Sequence, residues 1–158
     1  MVISRNPKLL VADELTDAME STTKIQILRL LQKLNESKDM SVLLITHDLD
    51  AVTQFADDIT ILYSGQSVES ASTKALISRP FHPYTEILFN TVPRLGGNLT
   101  PKSRLQALPG STPPLQHLPI GCRLGPRCLR AQKECVVTPK SVKLKVHIFS
   151  CHFPINLE

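Results

Sequence analysis

Lys8-Leu9-Leu10-Val11-Ala12-Asp13-Glu14 is the stretch that decides the fold, because a nearly unbroken apolar run ends there in two adjacent carboxylates. Such a run, bounded by charge, predicts a strand buried on both faces of a parallel sheet. Acids at the carboxyl end of that strand lie where open α/β sheets bind ligands. Asp13 is therefore a candidate Mg²⁺ ligand and Glu14 a candidate general base. A structural charged turn after a buried strand is the alternative.

A second buried-strand pattern, Ser41–Thr46, ends in His47. Between the two strands, Thr22–Asn35 carries apolar residues at helical spacing. Strand, helix and strand predict a right-handed βαβ unit, whose parallel strands end at the same edge of the sheet. We therefore expect Asp13, Glu14 and His47 to lie together, and a histidine beside two acids is a candidate phosphate sensor.

Three motifs in this order resemble those of ABC-transporter ATPases. Leu9–Glu14 resembles the Walker B strand, Glu14–Glu20 the D-loop and Ile45–Asp48 the switch-histidine loop. The resemblance implies an α/β fold, that of the carboxyl-terminal half of a P-loop NTPase (ABC ATPase) domain, with ATP and Mg²⁺ as cofactors. Met19–Thr23 is similar to the Sap-type subgroup of peptide-transporter ATPases.

The resemblance also implies roles for single residues. Asp13 would bind Mg-ATP, Glu14 would be the general base, and His47 would contact the γ-phosphate. Contacts to a partner subunit across the nucleotide would come from the D-loop residues Thr16, Asp17 and Ala18. The family usually has Ser or Asn where this chain has Asp17, so the added acid is expected to disturb the nucleotide-side contacts between subunits.

Two family motifs are absent from the sequence: the Gly-x-x-x-x-Gly-Lys-Ser/Thr loop (Walker A) and the Leu-Ser-Gly-Gly-Gln signature. The phosphates of ATP need a cradle of backbone amides and a lysine. Both motifs precede the Walker B strand in the family, so Met1 falls where the middle of a full subunit is expected. We therefore expect the carboxyl-terminal half of such an ATPase, as a fragment or a truncated gene product, inactive alone.

Composition excludes several classes of protein. No apolar run reaches the about eighteen residues of a transmembrane helix, and the start lacks the apolar core of a signal peptide. The net charge is only +4 over 158 residues, with scattered basic residues and few aromatic ones between them. Nucleic-acid binding is therefore not expected.

The second half of the chain begins with a hairpin pattern around Ser64-Gly65. Arg79–Thr85 then resembles the start of the carboxyl-terminal extension of oligopeptide and dipeptide importer ATPases, with Pro83 in the first turn of a helix. Packing, rather than catalysis, is expected of His82 and Tyr84. We predict a partial ATPase domain over residues 1–78 and an extension over 79–158, with a proline-rich connector (93–121) and a cysteine cluster (122–152).

The cysteines are clustered at C-x5-C-x6-C-x15-C spacing: Cys122, Cys128, Cys135 and Cys151. Four reduced thiolates can hold zinc or an iron–sulfur cluster, and the spacing does not choose between them. Resemblance to the cysteine motif of peptide-importer extensions favours a [4Fe-4S] cluster over zinc, with a metal-free module as the alternative. His152 is a lower-ranked substitute ligand. Arg123, Arg127 and Arg130 are expected to offset thiolate charge.

The implied function is ATP hydrolysis that powers peptide transport across a bacterial inner membrane. The implied partners are a second ABC ATPase subunit, two transmembrane permease subunits and, indirectly, a periplasmic peptide-binding protein. The subunit would be peripheral, on the cytoplasmic face of the membrane. The alternative is a non-catalytic truncated remnant or an iron–sulfur or metal-binding regulatory module.

Overall fold

The computed structural model describes residues 6–91 and 108–157, which form a mixed α/β protein. Contacts divide the chain into two compact units, one up to Ala56 and the other from Asp57 onward. Within the described ranges, no helix is both long and apolar enough to cross a membrane.

The first unit is built around two parallel strands joined through a helix. Its elements in chain order are β1 (Leu9–Asp13), α1 (Ser21–Lys38), β2 (Ser41–Ile45) and α2 (Leu49–Phe55). The strands pair in register from Leu9 opposite Ser41 to Asp13 opposite Ile45. The predicted strand–helix–strand arrangement is confirmed, and the carboxyl ends of β1 and β2 meet at one edge.

The two-stranded sheet is buried on one face only. Ala12 is buried, whereas Leu9 and Val11 on the other face of β1 are more than half exposed. Leu43 and Ile45 continue that exposed apolar face on β2. The prediction of a strand buried on both faces is wrong for this chain, because successive side chains alternate between faces and no element among the described residues covers the second one.

The helix α1 includes the predicted helical pattern. It begins at Ser21 after an extended Glu20, and no side-chain hydrogen bond caps its start. Its inner face buries Leu28 and Leu31, while Ile25 is 38% exposed.

The second unit is organised by a four-stranded antiparallel sheet in the order β3-β4-β6-β5. The strands and helices in chain order are β3 (Asp58–Tyr63), β4 (Gln66–Ser72), α3 (Thr73–Ser78), α4 (Pro83–Asn90), β5 (Val142–Leu144) and β6 (His147–Phe149). The predicted hairpin is confirmed: Ser64 and Gly65 both have positive φ, as a tight two-residue turn requires. Pro83 occupies the first turn of α4, as predicted.

Pairing of β4 with β6 joins the hairpin to the end of the chain. Phe81, Phe149 and Ile155 are buried in this unit. Residues 93–107 of the predicted proline-rich connector lie outside the described residues, and its remainder contains one short 3-10 turn, Leu115–His117. The domain boundary placed between residues 78 and 79 stays a prediction.

Candidate functional site

The carboxyl ends of β1 and β2 carry the residues predicted to act on nucleotide. Asp13 ends β1, and the backbone N–H of Glu14 donates to the carbonyl of Ile45 at 2.8 Å. His47 follows β2 by two positions. Backbone pairing of the two strands therefore brings Glu14 and His47 to the same edge of the sheet.

His47 lies between two carboxylates. Its Nδ1 is 3.6 Å from Oε1 of Glu14 and 3.6 Å from Oδ2 of Asp17. These distances are too long for hydrogen bonds but suit an ion pair with a protonated ring. One ligand atom from each of the three residues lies within 4.8 Å of the others. The group is exposed, and Asp13 beside it has no hydrogen-bond or ion-pair partner among the described residues.

The predicted D-loop folds as a short turn that backbone hydrogen bonds and a buried threonine hold in place. The N–H of Asp17 donates to the Glu14 carbonyl at 3.3 Å, and that of Met19 to the Thr16 carbonyl at 3.2 Å. Thr16 is 2% exposed, whereas Asp17 and Ala18 face solvent. The turn thus buries one of its three predicted contact residues and presents the other two.

Asp48 anchors the loop that carries His47, a role that the sequence did not reveal. Its side chain accepts a hydrogen bond from the Ala51 N–H at the start of α2 and pairs with Lys24 of α1. Burial acts to raise the pKa of Asp48, but the hydrogen bonds from Lys24 and Ala51 outweigh it and hold the pKa below its usual value. The only signal in the sequence was an acid directly before a helix, a common N-cap.

The four cysteines surround one narrow cavity in the second unit, and all are free thiols. The cavity wall also includes His82, Arg130 and His152. A short 3-10 turn at Gly125–Arg127 ends before Cys128, and a second one at Lys133–Val136 contains Cys135. The N–H of Cys122 donates to the Cys135 carbonyl at 2.9 Å, which fixes two of the cysteine segments against each other.

Gly121 makes this crossing of segments possible. Its φ is +80°, and a Cβ there would lie 2.3 Å from the backbone carbon of Val136. No side chain fits at that distance from backbone. The Gly-Cys pair at 121–122 is therefore a requirement of the fold around the cavity.

Burial and mutual repulsion disfavour the charged form of the cysteine thiols. Burial raises the pKa of Cys151 to about 11 and also raises that of Cys128, and charge on the neighbouring cysteines adds to both shifts. Four adjacent thiolates are stable only if a cation offsets their charge. Arg130 lines the cavity and lowers the pKa of Cys128, whereas Arg123 and Arg127 donate to backbone carbonyls and hydroxyls elsewhere.

Four cysteine thiolates can hold either zinc or an iron–sulfur cluster. No three of the four described cysteine sulfurs lie within 4.8 Å of one another, so the structure defines no site for either.

Glu69 is a buried carboxylate that the sequence did not identify as important. It is 0% exposed on β4 and accepts from the backbone N–H groups of Phe81 and His82 at 2.8 and 2.9 Å. Its Oε1 also lies 3.0 Å from Nδ1 of buried His147 on β6. Glu69 thus holds the start of α4, and with it the His82 backbone, against the sheet.

His82 is the N-cap of α4 and is 1% exposed. Its Nδ1 accepts from the Tyr84 N–H at 3.1 Å. Burial lowers the pKa of His82 to about 4, so the ring is neutral near pH 7. His152, in contrast, donates from Nε2 to the Val137 carbonyl, at 2.9 Å.

Comparison with known proteins shows what the chain is similar to. Residues 68–135 match the family described as oligopeptide/dipeptide transporter, C-terminal region. Over all 158 residues, the chain is 51% identical to the peptide transport system ATP-binding protein SapD of Escherichia coli O157:H7, of which it covers 48%. These matches support a carboxyl-terminal part of a peptide-transport ATP-binding protein. This confirms the resemblance drawn from the Walker B, D-loop and switch-histidine motifs.

Further relatives carry similar names. The SapD protein of Haemophilus influenzae is 48% identical over 157 residues, which are 99% of this chain and 45% of that protein. A putative peptide import ATP-binding protein of Brucella melitensis is 43% identical over 136 residues, 86% of this chain and 40% of its own length. The chain spans about half the length of the curated relatives it matches.

Proposed function

We propose that this chain is the carboxyl-terminal part of an ATP-hydrolysing subunit that powers peptide transport across a bacterial inner membrane. The observation that carries the proposal is the 3.6 Å approach of Glu14 and His47 where two parallel strands end. A carboxylate beside a histidine at that edge suits activation of water next to a γ-phosphate. The printed names of the relatives, peptide transport and peptide import, supply the class of cargo.

Each residue at the edge has a distinct task in this proposal. Glu14 takes the proton of the attacking water, and Asp13 holds Mg²⁺, usually through bound waters. His47 contacts the γ-phosphate and is steered by the two carboxylates beside it. Thr16, Asp17 and Ala18 form the contact to a second subunit, where Asp17 adds a negative charge that the family usually lacks.

The phosphates need a cradle that no segment of this sequence supplies. A preceding segment or a separate polypeptide must therefore contribute the Walker A loop and the signature motif. The exposed apolar face made by Leu9, Val11, Leu43 and Ile45 supports this view, because contiguous apolar surface of this kind marks an interface. We expect the chain alone to bind no measurable ATP.

The assembly follows from the proposed activity. Two ATPase subunits close over two ATP molecules and drive two transmembrane permease subunits, with a periplasmic peptide-binding protein as an indirect partner. The subunit is attached to the cytoplasmic face of the inner membrane through the permeases.

The cysteines give the proposal a second cofactor. Cys122, Cys128, Cys135 and Cys151 would hold a [4Fe-4S] cluster, with zinc as the less favoured occupant. The cavity that all four cysteines line supports this proposal. A small, loop-rich module gains folding free energy from a bound metal, so the cluster would be structural or sensory.

A second candidate function rests on this cavity. In this alternative the chain is a metal-binding regulatory module without ATPase activity. It would then take up iron and sulfide but confer no hydrolysis on any partner.

Reconstitution of the active site tests the two functions against each other. The chain is co-expressed with the amino-terminal half of the Escherichia coli relative, and ATP hydrolysis of the purified pair is compared with that of each half. Hydrolysis by the pair alone supports the ATPase. A stable pair that binds ATP without hydrolysing it, while holding iron and sulfide, favours the regulatory module.

A further inference from the structure

His82 lines the cysteine cavity and has one ring nitrogen uncommitted among the described residues. Its Nδ1 accepts a hydrogen bond from the Tyr84 N–H and therefore carries no proton. The proton of the neutral ring must lie on Nε2. No described residue accepts a hydrogen bond from this Nε2–H.

Capping alone does not explain a histidine at this position. Ser, Thr, Asp and Asn are the usual N-cap residues, and each would accept the same backbone N–H with a smaller side chain. Histidine differs from these residues because its ring carries a second group, the Nε2–H, that can donate a hydrogen bond. The surface that it borders is formed by Cys122, Cys128, Cys135 and Cys151, whose sulfurs are acceptors.

We propose that His82 donates its Nε2–H to a sulfur of the metal centre held by the four cysteines, and that Glu69 fixes His82 for this contact. The inference rests on the proposed cluster. Glu69 accepts from the His82 backbone N–H and holds that backbone against β4, while the Tyr84 N–H holds the ring through Nδ1. The ring therefore cannot turn away without breaking the hydrogen bond from Tyr84. Hydrogen bonds to cluster sulfurs raise the reduction potential, because they stabilise the more negative reduced state.

Two substitutions separate the donor from the cap. His82→Asn keeps a side-chain acceptor at the position of Nδ1 but has no atom at the position of Nε2. His82→Gln places an amide N–H near Nε2 but loses the capping acceptor. His117→Asn, in an exposed 3-10 turn away from the cavity, is the matched control.

The experiment loads the whole chain with ferrous iron and sulfide without oxygen. Iron and sulfide contents, the rate of iron loss to a chelator, and the midpoint potential are then measured for the four proteins. We expect His82→Asn to shift the potential downward and to lose iron faster, or to lose the cluster. His82→Gln should stay closer to the wild type, and His117→Asn should match it.

Several results would overturn the inference. One is equal loading and equal potential in wild type and His82→Asn. A second is a shift of the midpoint potential in His82→Gln but not in His82→Asn, because that pattern would mean that His82 acts only as the helix cap. Loss of the cluster to the same extent in both variants would mean that His82 serves folding alone. Wild-type protein that takes up no iron and sulfide, or that binds zinc instead of them, would refute the proposed cluster as well.

Discussion

The site at the ends of β1 and β2 is open, whereas the cysteine cavity is partly buried. At the open site the side chains of His47 and Glu14 are 74% and 60% exposed. The four cysteines at the cavity are half-buried, and His82 in its wall is 1% exposed and held by hydrogen bonds. At the open site the reactive groups lie together, but little of the described protein shields them from water. At the cavity the shielding residues all belong to the second unit.

This difference predicts what each site needs. Water competes with every interaction of an exposed carboxylate, so Glu14 gains catalytic strength only when nucleotide and further protein exclude water. The cluster proposed for the cysteines needs only iron and sulfide. Changes at the open site should therefore affect the reconstituted ATPase, and changes at the cavity should affect the chain by itself.

The largest effect is expected from Glu14→Gln in the reconstituted ATPase. Removal of a general base lowers the rate by about 10²–10⁴-fold, and the amide leaves ATP binding intact. The turnover rate and the ATP dissociation constant are measured together. Glu20→Gln, at the end of the same loop, is the control. Wild-type turnover in Glu14→Gln would refute its role as base.

Gly121→Ala should cause the next largest effect, a loss of about 3 kcal/mol or more in the free energy of unfolding of the second unit. The new Cβ would collide with the Val136 backbone, and the cysteine segments would separate. Urea unfolding and iron uptake are the measurements.

Gly110→Ala is the matched control for this collision. Gly110 also has positive φ, +69°, but nothing lies within 4 Å of a Cβ there. Only backbone strain of about 1–2 kcal/mol is expected. Equal costs at both positions would mean that close approach at Gly121 is not what builds the cavity.

The sequence predicted the elements well where periodicity decided them. The βαβ unit, the hairpin at Ser64-Gly65 and the start of α4 at Pro83 all follow from local patterns, and the structure contains each of them. Burial was predicted less well. The exposure of Val11 depends on which layers lie beside the strand, and no local pattern contains that information.

The candidate sites show the same limit. Residue types predicted which groups could react, as at Glu14, His47 and the cysteines. The sequence did not predict a role for Glu69, because an acid in a strand is normally assigned to the solvent face. Its partners Phe81, His82 and His147 lie 12, 13 and 78 residues away in sequence, so only the fold reveals the contact.

Glu69→Gln tests whether the enclosed region depends on this carboxylate. An amide can accept from one backbone N–H but turns its NH₂ toward the other, so a buried donor loses its partner. We expect a loss of about 2 kcal/mol in the free energy of unfolding. Glu86→Gln on the partly exposed α4 surface is the control and should cost much less. Equal stability of Glu69→Gln and wild type would show that the network contributes little.

The smallest effect concerns a partly buried ion pair near the open site, that of Asp48 and Lys24, whose side chains are 17% and 28% exposed. Asp48→Asn keeps the cap of α2 and removes the ion pair, at a cost of about 1 kcal/mol near pH 7.

Because the pKa of Asp48 is lowered in the folded chain, its contribution is present above the usual value of 3.8 and is lost as the pH falls through the folded pKa. The stability difference between Asp48→Asn and wild type, measured by urea unfolding, should therefore shrink in acid. The solvent-exposed pair of Lys8 and Asp39 is the control, and Asp39→Asn should show no such pH dependence. A difference for Asp48→Asn that stays constant down to acid pH would mean that the pair does not hold the His47 loop through charge.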